Sequence, residues 1–164
     1  MTMADVISAA GLSAGAVYGY FPSKTDLIRA IAQEALDAVT HRVTALTGSD
    51  GPVDLRQVVD ELIDSGTGTY GSNSPNIAVQ VWAEVARDED VAAMALSRLE
   101  PLRMALTLVV TRCQAEGSVP AQADPEATAL VLVGVLQGLV VQQVIDPSLD
   151  RARYVDGLLG LIAG

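Results

Sequence analysis

The sequence predicts an all-α protein, and three observations support that prediction. Apolar residues recur at helical spacings of three and four along most of the chain, whereas the alternation typical of strands is hard to find. Residues that cap helices precede several of these segments. Half of the 164 residues are apolar but only 4% are aromatic, which indicates a core of alanine, valine and leucine.

Two short helices are predicted at the start of the chain. Thr2 can cap a first helix that ends at Gly11, and Ser13 can cap a second that runs to about Tyr20. The segment "AGLS" joins them, which gives the arrangement of a helix-turn-helix. This spacing alone leaves two interpretations open, a DNA-binding unit and an ordinary small helical core.

A long third helix follows the turn at Pro22. Ser23 and Asp26 have the spacing of a capping box, and the apolar pattern then continues to about Thr47. The segment "GSDGP", residues 48–52, is predicted to be a loop. We therefore expect two domains, residues 1–47 and residues 48–164.

Four or five further helices are predicted after this loop. Capping residues and proline pairs such as Asp124-Pro125 indicate where they begin. Pro101 should kink the longest of them. The predicted segments are 54–65, 74–87, 91–116, 124–145 and 148–162.

The composition argues against catalysis, a bound metal and a cofactor. Cys113 is the single cysteine, so an internal disulfide and a cysteine zinc site are excluded. His41 is the single histidine, and no Gly-rich phosphate loop is present. No signal peptide is recognisable, so we expect a cytoplasmic protein that is not an enzyme.

Net charge argues against general affinity for nucleic acids. The chain carries −10, and phosphate contacts come from lysine and arginine. Residues 1–47 hold three basic and four acidic residues, so that segment has a net charge of only −1. The acidity lies downstream, and the front of the chain is nearly neutral.

Residues 2–27 resemble the DNA-binding signature of the TetR family of bacterial transcriptional regulators. The matching pattern is "T-x-A-D-V-I-x-x-A-G-L-S-x-G-x-V-Y-x-Y-F-P-S-K-x-x-L". The later "QAEGSVP…DPEATALVLVGVLQGL" is similar to the end of that family's ligand-binding domain. The resemblance implies an N-terminal helix-turn-helix followed by a helical ligand-binding and dimerisation domain.

The resemblance also implies how DNA is contacted. A recognition helix needs a low exposed face so that its backbone can approach the major groove, and two glycines provide that clearance. Helix starts and tyrosine hydroxyls would contact phosphates, and small side chains would face the bases. The expected DNA-binding residues are Thr2, Ser13, Ala14, Gly15, Ala16, Tyr18, Gly19, Tyr20 and Lys24. Partial burial of Tyr18 by packing is the alternative.

One departure from the family is large. In the family an amphipathic helix precedes the residue matching Thr2, whereas this sequence begins at Met1. We expect Met3, Val6 and Val17 to lose their usual cover and form an apolar patch. A misplaced start, a shortened chain and a natural loss are all open, and without that helix operator affinity should be weaker.

Residues 127–145 are apolar nearly all round, so this helix is buried on every side or lies in lipid. Its glutamines count against a membrane span. The Gly134-x-x-x-Gly138 spacing permits close helix crossing, and a two-fold partner would cover one face. The resemblance implies a four-helix bundle across a homodimer, with Gly134, Gly138, Val141, Tyr154, Leu158, Leu159 and Ile162 at the interface.

The resemblance places an effector pocket among the middle helices. Trp82 is the single tryptophan, and methionine adapts to varied ligands. Ordinary core or surface positions are the alternative for each candidate. The expected ligand-binding residues are Tyr70, Trp82, Met94, Arg103, Met104 and Gln137.

These expectations describe a ligand-responsive transcriptional repressor. It would bind double-stranded operator DNA as a homodimer and be released by a small-molecule effector, for which the candidate lining favours an apolar or aromatic compound. The alternative is a dimeric ligand-binding protein of the same fold that has lost DNA binding through N-terminal truncation.

Overall fold

The computed structural model describes Met3 and residues 13–48, 51–68 and 74–162. For residues 65–68 and Ser74 it describes the backbone alone. The described residues contain helices and no strand, which confirms the all-α prediction. The predicted helix after Thr2 lies outside this part of the chain apart from Met3. The helices are α1 (Ala14–Tyr20), α2 (Lys24–Thr47), α3 (Leu55–Gly68), α4 (Ser74–Val85), α5 (Glu89–Ala115), α6 (Pro125–Ile145) and α7 (Arg151–Ile162).

The predicted caps of the first two described helices are confirmed. The Ser13 hydroxyl accepts a hydrogen bond from the Ala16 N–H at 3.2 Å, which begins α1. Ser23 and Asp26 form the capping box of α2, each side chain accepting from the other's backbone N–H at 3.1 Å. An N-cap of this kind stabilises a helix by about 1 kcal/mol. Two adjacent caps therefore fix the turn between α1 and α2.

The C-terminal end of α2 is fastened to the end of α5. Arg112 donates a hydrogen bond from Nη1 to the carbonyl oxygen of Thr47 at 2.6 Å. The Glu116 carboxylate accepts from the Val53 N–H, with both oxygens at 3.1 Å. These contacts hold the segment between α2 and α3 against the long helix of the second half.

The main core lies between α2, α3, α5, α6 and α7. The connecting helix α2 packs along α5, and α5 packs along α6. Two ion pairs, Arg56 with Asp156 and Arg151 with Asp64, join α3 to α7 at the surface. The core is aliphatic, as the composition predicts; its largest fully buried members are Val43, Val58, Val59, Leu106, Val109, Val110, Cys113, Leu132 and Leu139.

A second, smaller cluster lies behind α1. Met3, Val17 and Leu27 are buried there, and Phe21 and Ile31 pack against them. The expectation that Met3 and Val17 lack cover is wrong, because only 9% of Met3 and 6% of Val17 is exposed. The first turns of α2 supply cover for Val17 through Leu27.

Helix ends differ from the predicted ones where side chains hold a turn. α7 begins at Arg151 rather than near residue 148. Before it, the Asp146 carboxylate accepts from both the N–H and the hydroxyl of Ser148, at 3.0 and 2.6 Å. These hydrogen bonds lower the pKa of Asp146 and stabilise a local turn that competes with helix.

α6 is, among the described helices, the one long and apolar enough to cross a membrane by length and composition. Buried helices of globular proteins pass the same test. One side of α6 packs into the main core through Ala129, Leu132 and Leu139. Its other side is exposed and apolar, so α6 is only half covered within its own chain.

Candidate DNA-binding helix, ligand cavity and interface

The helix α1 presents most of its surface to solvent. Every residue from Ser13 to Tyr20 is exposed except Val17, which faces the small cluster. Tyr18 is 49% exposed and Tyr20 84% exposed, so both hydroxyls can reach a partner. An outward face that contains alanine, glycine and tyrosine but no charge is suited to close approach by another surface.

Gly15 and Gly19 are not required by packing within the described part of the chain. A Cβ built on either one meets no heavy atom within 4 Å. Each glycine nevertheless costs a helix about 1 kcal/mol relative to alanine. Packing within the described part of the chain therefore gives no reason for a glycine at either position.

The other residues expected at DNA lie around this face. Ala14 and Ala16 are exposed on α1, and Ser13 is exposed at its start. Lys24 is partly buried at the first position of α2, where a positive charge is unfavourable for the helix dipole. Thr2 lies outside the described residues.

A cavity of about 240 Å³ lies among α2, α3, α4, α5 and α6. Every one of these helices contributes side chains, and the largest shares come from α2 and α4. The lining residues are Ile31, Ala32, Ala35, Leu36, Val39, Leu62, Ile77, Ala78, Val81, Trp82, Val85, Ala95, Leu99, Leu102, Val133, Leu136, Gln137 and Val140.

The lining is apolar apart from one side chain. Of the eighteen lining residues, seventeen are apolar and Gln137 alone carries an amide. Trp82 contributes the one aromatic ring. Gln137 is the one lining residue exposed to solvent, and it lies between Gly134 and Val141 on the outward side of α6.

The structure places two of the expected ligand-binding residues, Trp82 and Gln137, in this lining. Met94, Arg103 and Met104 lie outside it, and Met104 is 67% exposed. The cavity side of α5 is set by Ala95, Leu99 and Leu102. Because each residue turns a helix by about 100°, their immediate neighbours face elsewhere. Met94, Arg103 and Met104 are therefore not part of this lining, so a ligand-binding role for them stays a prediction, and Tyr70 lies outside the described residues.

Sequence reasoning missed the contribution of α2. Ile31, Ala35 and Leu36 line the cavity, although this helix directly follows the helix-turn-helix. Ile31 also packs against the small cluster of Val17 and Leu27. The helix α2 therefore contacts both the cavity and the small cluster behind α1, and its residue Ile31 contacts both by itself.

An apolar face on α6 and α7 remains uncovered. On α6 the exposed apolar residues include Leu130, Val131, Gly134, Val141 and Ile145, with the exposed Gln137 and Gln142 among them. On α7 they are Gly157, Gly160 and Leu161, and a Cβ on Gly134, Gly157 or Gly160 meets nothing within 4 Å. We call these eight apolar residues the α6–α7 face.

Some residues expected at the dimer interface are engaged inside the chain instead. Leu158 is buried in the main core, and Leu159 and Ile162 pack partly against it. The Tyr154 hydroxyl donates to the Val135 carbonyl oxygen at 2.9 Å, and burial raises the pKa of this phenol. Leu158 is therefore a core residue within its own chain, and its place at a dimer interface stays a prediction.

Gly138 lies beside this hydrogen bond. A Cβ there would lie 3.8 Å from the Tyr154 hydroxyl oxygen, an ordinary contact distance. It therefore lies beside a neighbouring helix of its own chain, whereas Gly134 and Val141 face outward on α6.

Residues suited to metal binding do not gather in the described part of the chain. No three His, Cys, Asp or Glu side chains there are close enough to hold a metal ion. His41 is exposed on α2. Cys113 is fully buried, and burial raises the pKa of its thiol.

A short exposed helix, a tight turn and one long helix that enters a helical domain with an apolar cavity are the arrangement of one class of proteins, the one-component transcriptional regulators. The chain belongs to the TetR family within that class. Residues 1–31 match the family described as "Bacterial regulatory proteins, tetR family". Residues 53–162 match "BetI-type transcriptional repressor, C-terminal".

A curated relative covers part of the chain. The HTH-type transcriptional repressor LfrR of Mycolicibacterium smegmatis (strain ATCC 700084 / mc(2)155) is 36% identical over 66 residues. This alignment spans 39% of the present chain and 35% of that protein, about a third of its length.

Solved structures share the fold over nearly the whole chain. MbdR from Azoarcus sp. CIB has a TM-score of 0.76 at 17% identity, covering 100% of this chain and 87% of that one. FadR from Bacillus subtilis, in complex with stearoyl-CoA, has 0.74 at 16% identity, covering 100% and 88%. E. coli NemR in its reduced form has 0.71 at 21% identity, covering 99% and 87%. The chain thus belongs to the TetR family and has the helical fold of these proteins.

Proposed function

We propose that this protein represses transcription by binding operator DNA as a homodimer and that a small apolar molecule releases it. The single observation that carries the proposal is the double role of α2. This helix follows the recognition helix directly and also contributes five residues to the cavity wall. A ligand in the cavity would contact the same rigid element that positions α1.

The surface of α1 supports the DNA half of the proposal. At Ala14, Gly15 and Gly19 nothing larger than a methyl group projects from the exposed face of α1. The helix can therefore lie deep in a major groove. Small side chains offer methyl contacts to thymine and leave room for bridging water. Hydroxyl groups of Ser13, Tyr18 and Tyr20 can donate to phosphate oxygens.

The α6–α7 face supports the homodimer. Contiguous exposed apolar surface on a folded protein usually marks an interaction site. Its residues lie on two successive helices, and Gly134, Gly157 and Gly160 let a partner helix approach closely. Two copies related by a two-fold axis would bury this face and present two α1 helices to one operator.

Release follows from a shift between two states. A ligand moves such an equilibrium only as far as it binds one state better than the other. We propose that a filled cavity favours an α2 position in which the two α1 helices no longer match successive major grooves. Ile31, which contacts both the cavity and the cluster behind α1, is the proposed point of transmission. We place the protein in the cytoplasm with its DNA.

Selection from a randomised duplex library tests the proposal, because such a library contains candidate operators of every sequence. We expect enrichment of a sequence with two-fold symmetry whose half-sites lie about one helical turn apart. Tyr20→Ala, at the most exposed tyrosine of α1, should weaken binding to the selected duplex about tenfold, and Leu96→Ala on α5 should not.

Failure to enrich any duplex would overturn the DNA-binding role. If the same preparation binds apolar ligands and forms dimers, the result would favour the alternative function, a dimeric ligand-binding protein of this fold without DNA binding.

A further inference from the structure

We infer that the cavity accepts an uncharged, mainly apolar molecule of one or two rings, and that Gln137 selects it by a hydrogen bond to a single polar group. The inference deepens the effector role proposed above and rests on it for its regulatory meaning. Ligand binding itself can be tested independently of DNA.

The lining excludes charged ligands. No lysine, arginine, aspartate or glutamate is among the eighteen residues that surround the cavity. A carboxylate or phosphate placed among them would lose its hydration and gain no countercharge. The phosphates of an acyl-CoA would thus have to stay outside this cavity.

The volume sets the scale of the part of the molecule that the cavity can surround. A cavity of about 150 Å³ lined by aliphatic and aromatic side chains holds benzene. The cavity here measures about 240 Å³, so it has room for a larger ring with a branched substituent, or for two fused rings.

Gln137 determines where the polar group of the ligand lies. Its amide is the one hydrogen-bonding side chain in the lining other than the Trp82 indole. An amide both donates and accepts, so it can bind a hydroxyl, a carbonyl or an amide. Since Gln137 is the exposed member of the lining, the polar group of the ligand would lie beside it and the apolar part would lie toward Trp82 and α2.

Menthol, menthane and menthane carboxylate are suitable probes, since they share one branched ring and differ in one group. None absorbs where tryptophan does, and Trp82 is both the single tryptophan of the chain and a lining residue. A titration followed by Trp82 fluorescence therefore reads the cavity directly. Menthol should bind about five- to tenfold tighter than menthane, as expected for one neutral hydrogen bond. At neutral pH the carboxylate should bind at least about a hundredfold more weakly than menthol, because it would be buried without a countercharge.

Gln137→Leu keeps the size of the side chain and removes the amide. This variant should lose the preference for menthol over menthane and leave the affinity for menthane unchanged within about twofold, because only the hydrogen bond is removed. Gln142→Leu is the matched control, because Gln142 is exposed on the same helix and does not line the cavity. It should behave as the original chain does.

Three results would overturn the inference: equal binding of the carboxylate and menthol, a retained menthol preference in Gln137→Leu, or no fluorescence response to any of the three probes. A separate assay measures whether menthol releases the selected duplex. Menthol binding without release would leave the ligand class intact and contradict the regulatory role. Release of the duplex by a charged molecule would contradict the ligand class and leave the regulatory role intact.

Discussion

Arg98 on α5 donates from one guanidinium nitrogen to both carboxylate oxygens of Asp37 on α2, each at 3.0 Å. The pair lies at the surface beside the cavity, one residue from Leu36 on one helix and from Leu99 on the other. It therefore joins the connecting helix to the ligand-binding domain at the level where a ligand would act.

Arg98→Ala should lower the free energy of unfolding by less than about 1 kcal/mol, because a partly exposed ion pair contributes little. Urea unfolding followed by circular dichroism gives this value. Arg153→Ala is the control, since Arg153 is exposed on α7 and its side chain takes part in no ion pair among the described residues. A loss above about 2 kcal/mol would mean that the pair has a larger structural role than exposed pairs usually have.

Gly15→Ala and Gly19→Ala should separate stability from function. Each should stabilise α1 by up to about 1 kcal/mol, because alanine is the better helix former and the added methyl has open space. Each should also weaken binding to the selected duplex at least about tenfold, because the methyl raises the face that enters the groove. Thermal unfolding and mobility-shift titration measure the two effects. Unchanged DNA affinity in both variants would show that the glycines are not needed for close approach of α1 to DNA.

Val141→Glu should dissociate the dimer. Val141 is 40% exposed on the α6–α7 face, so a glutamate there is harmless to a monomer but costly in an apolar interface. We expect the dimer dissociation constant to rise at least about a hundredfold with no loss of helical content, because the carboxylate would be buried without a partner. Light scattering after gel filtration gives the mass. Leu96→Glu, at an exposed position on α5, is the control and should remain dimeric.

Trp82→Ala should reduce the response to ligand at least about tenfold and change operator affinity in the absence of ligand less than about threefold, because a large aromatic contact is lost from the cavity alone. The ring lines the cavity but lies far along the chain from α1, so its loss affects ligand contacts first. A reporter assay across ligand concentrations measures both quantities. Trp82→Phe should be intermediate, which separates lost contact area from general damage to the fold.

Cys113 should react very slowly with thiol reagents. Its side chain is fully buried, its Sγ lies 3.7 Å from the Val53 carbonyl oxygen, and burial raises the pKa of the thiol above its usual value of about 8.5. A raised pKa leaves less reactive thiolate at any given pH near 8. Modification by a chromogenic disulfide should become fast only in denaturant. Rapid modification of the native protein would show that the core opens at this point.

Sequence patterns predict those parts of the fold that depend on local chemistry. The caps at Ser13, Ser23 and Asp124 act on backbone groups within three residues, so spacing alone identifies them. The start of α7 differs from its predicted position because the Asp146–Ser148 turn uses the same residue types that begin helices.

The cavity is predictable only in part, because its lining depends on which helices meet. Trp82 stands out by being unusual in composition, and Gln137 by being polar in an apolar helix. Ile31 and Leu36 carry no such signal, since a residue facing a cavity and one facing a core have the same pattern. For the same reason the apolar stripe that contains Leu158 does not distinguish a core residue from an interface residue.

The sparse charge of the recognition surface has a consequence for how this regulator would find its site. Lys24 is the single basic residue between positions 1 and 28, so a dimer would bring about two cations to the DNA through these segments. Each neutralised phosphate releases about 0.9 of a condensed counterion, so affinity gained in this way would depend only weakly on ionic strength. Because few cations would contact phosphates, binding to non-specific duplex and sliding along it would also be weak. The protein would then locate its operator mainly by repeated encounters from solution.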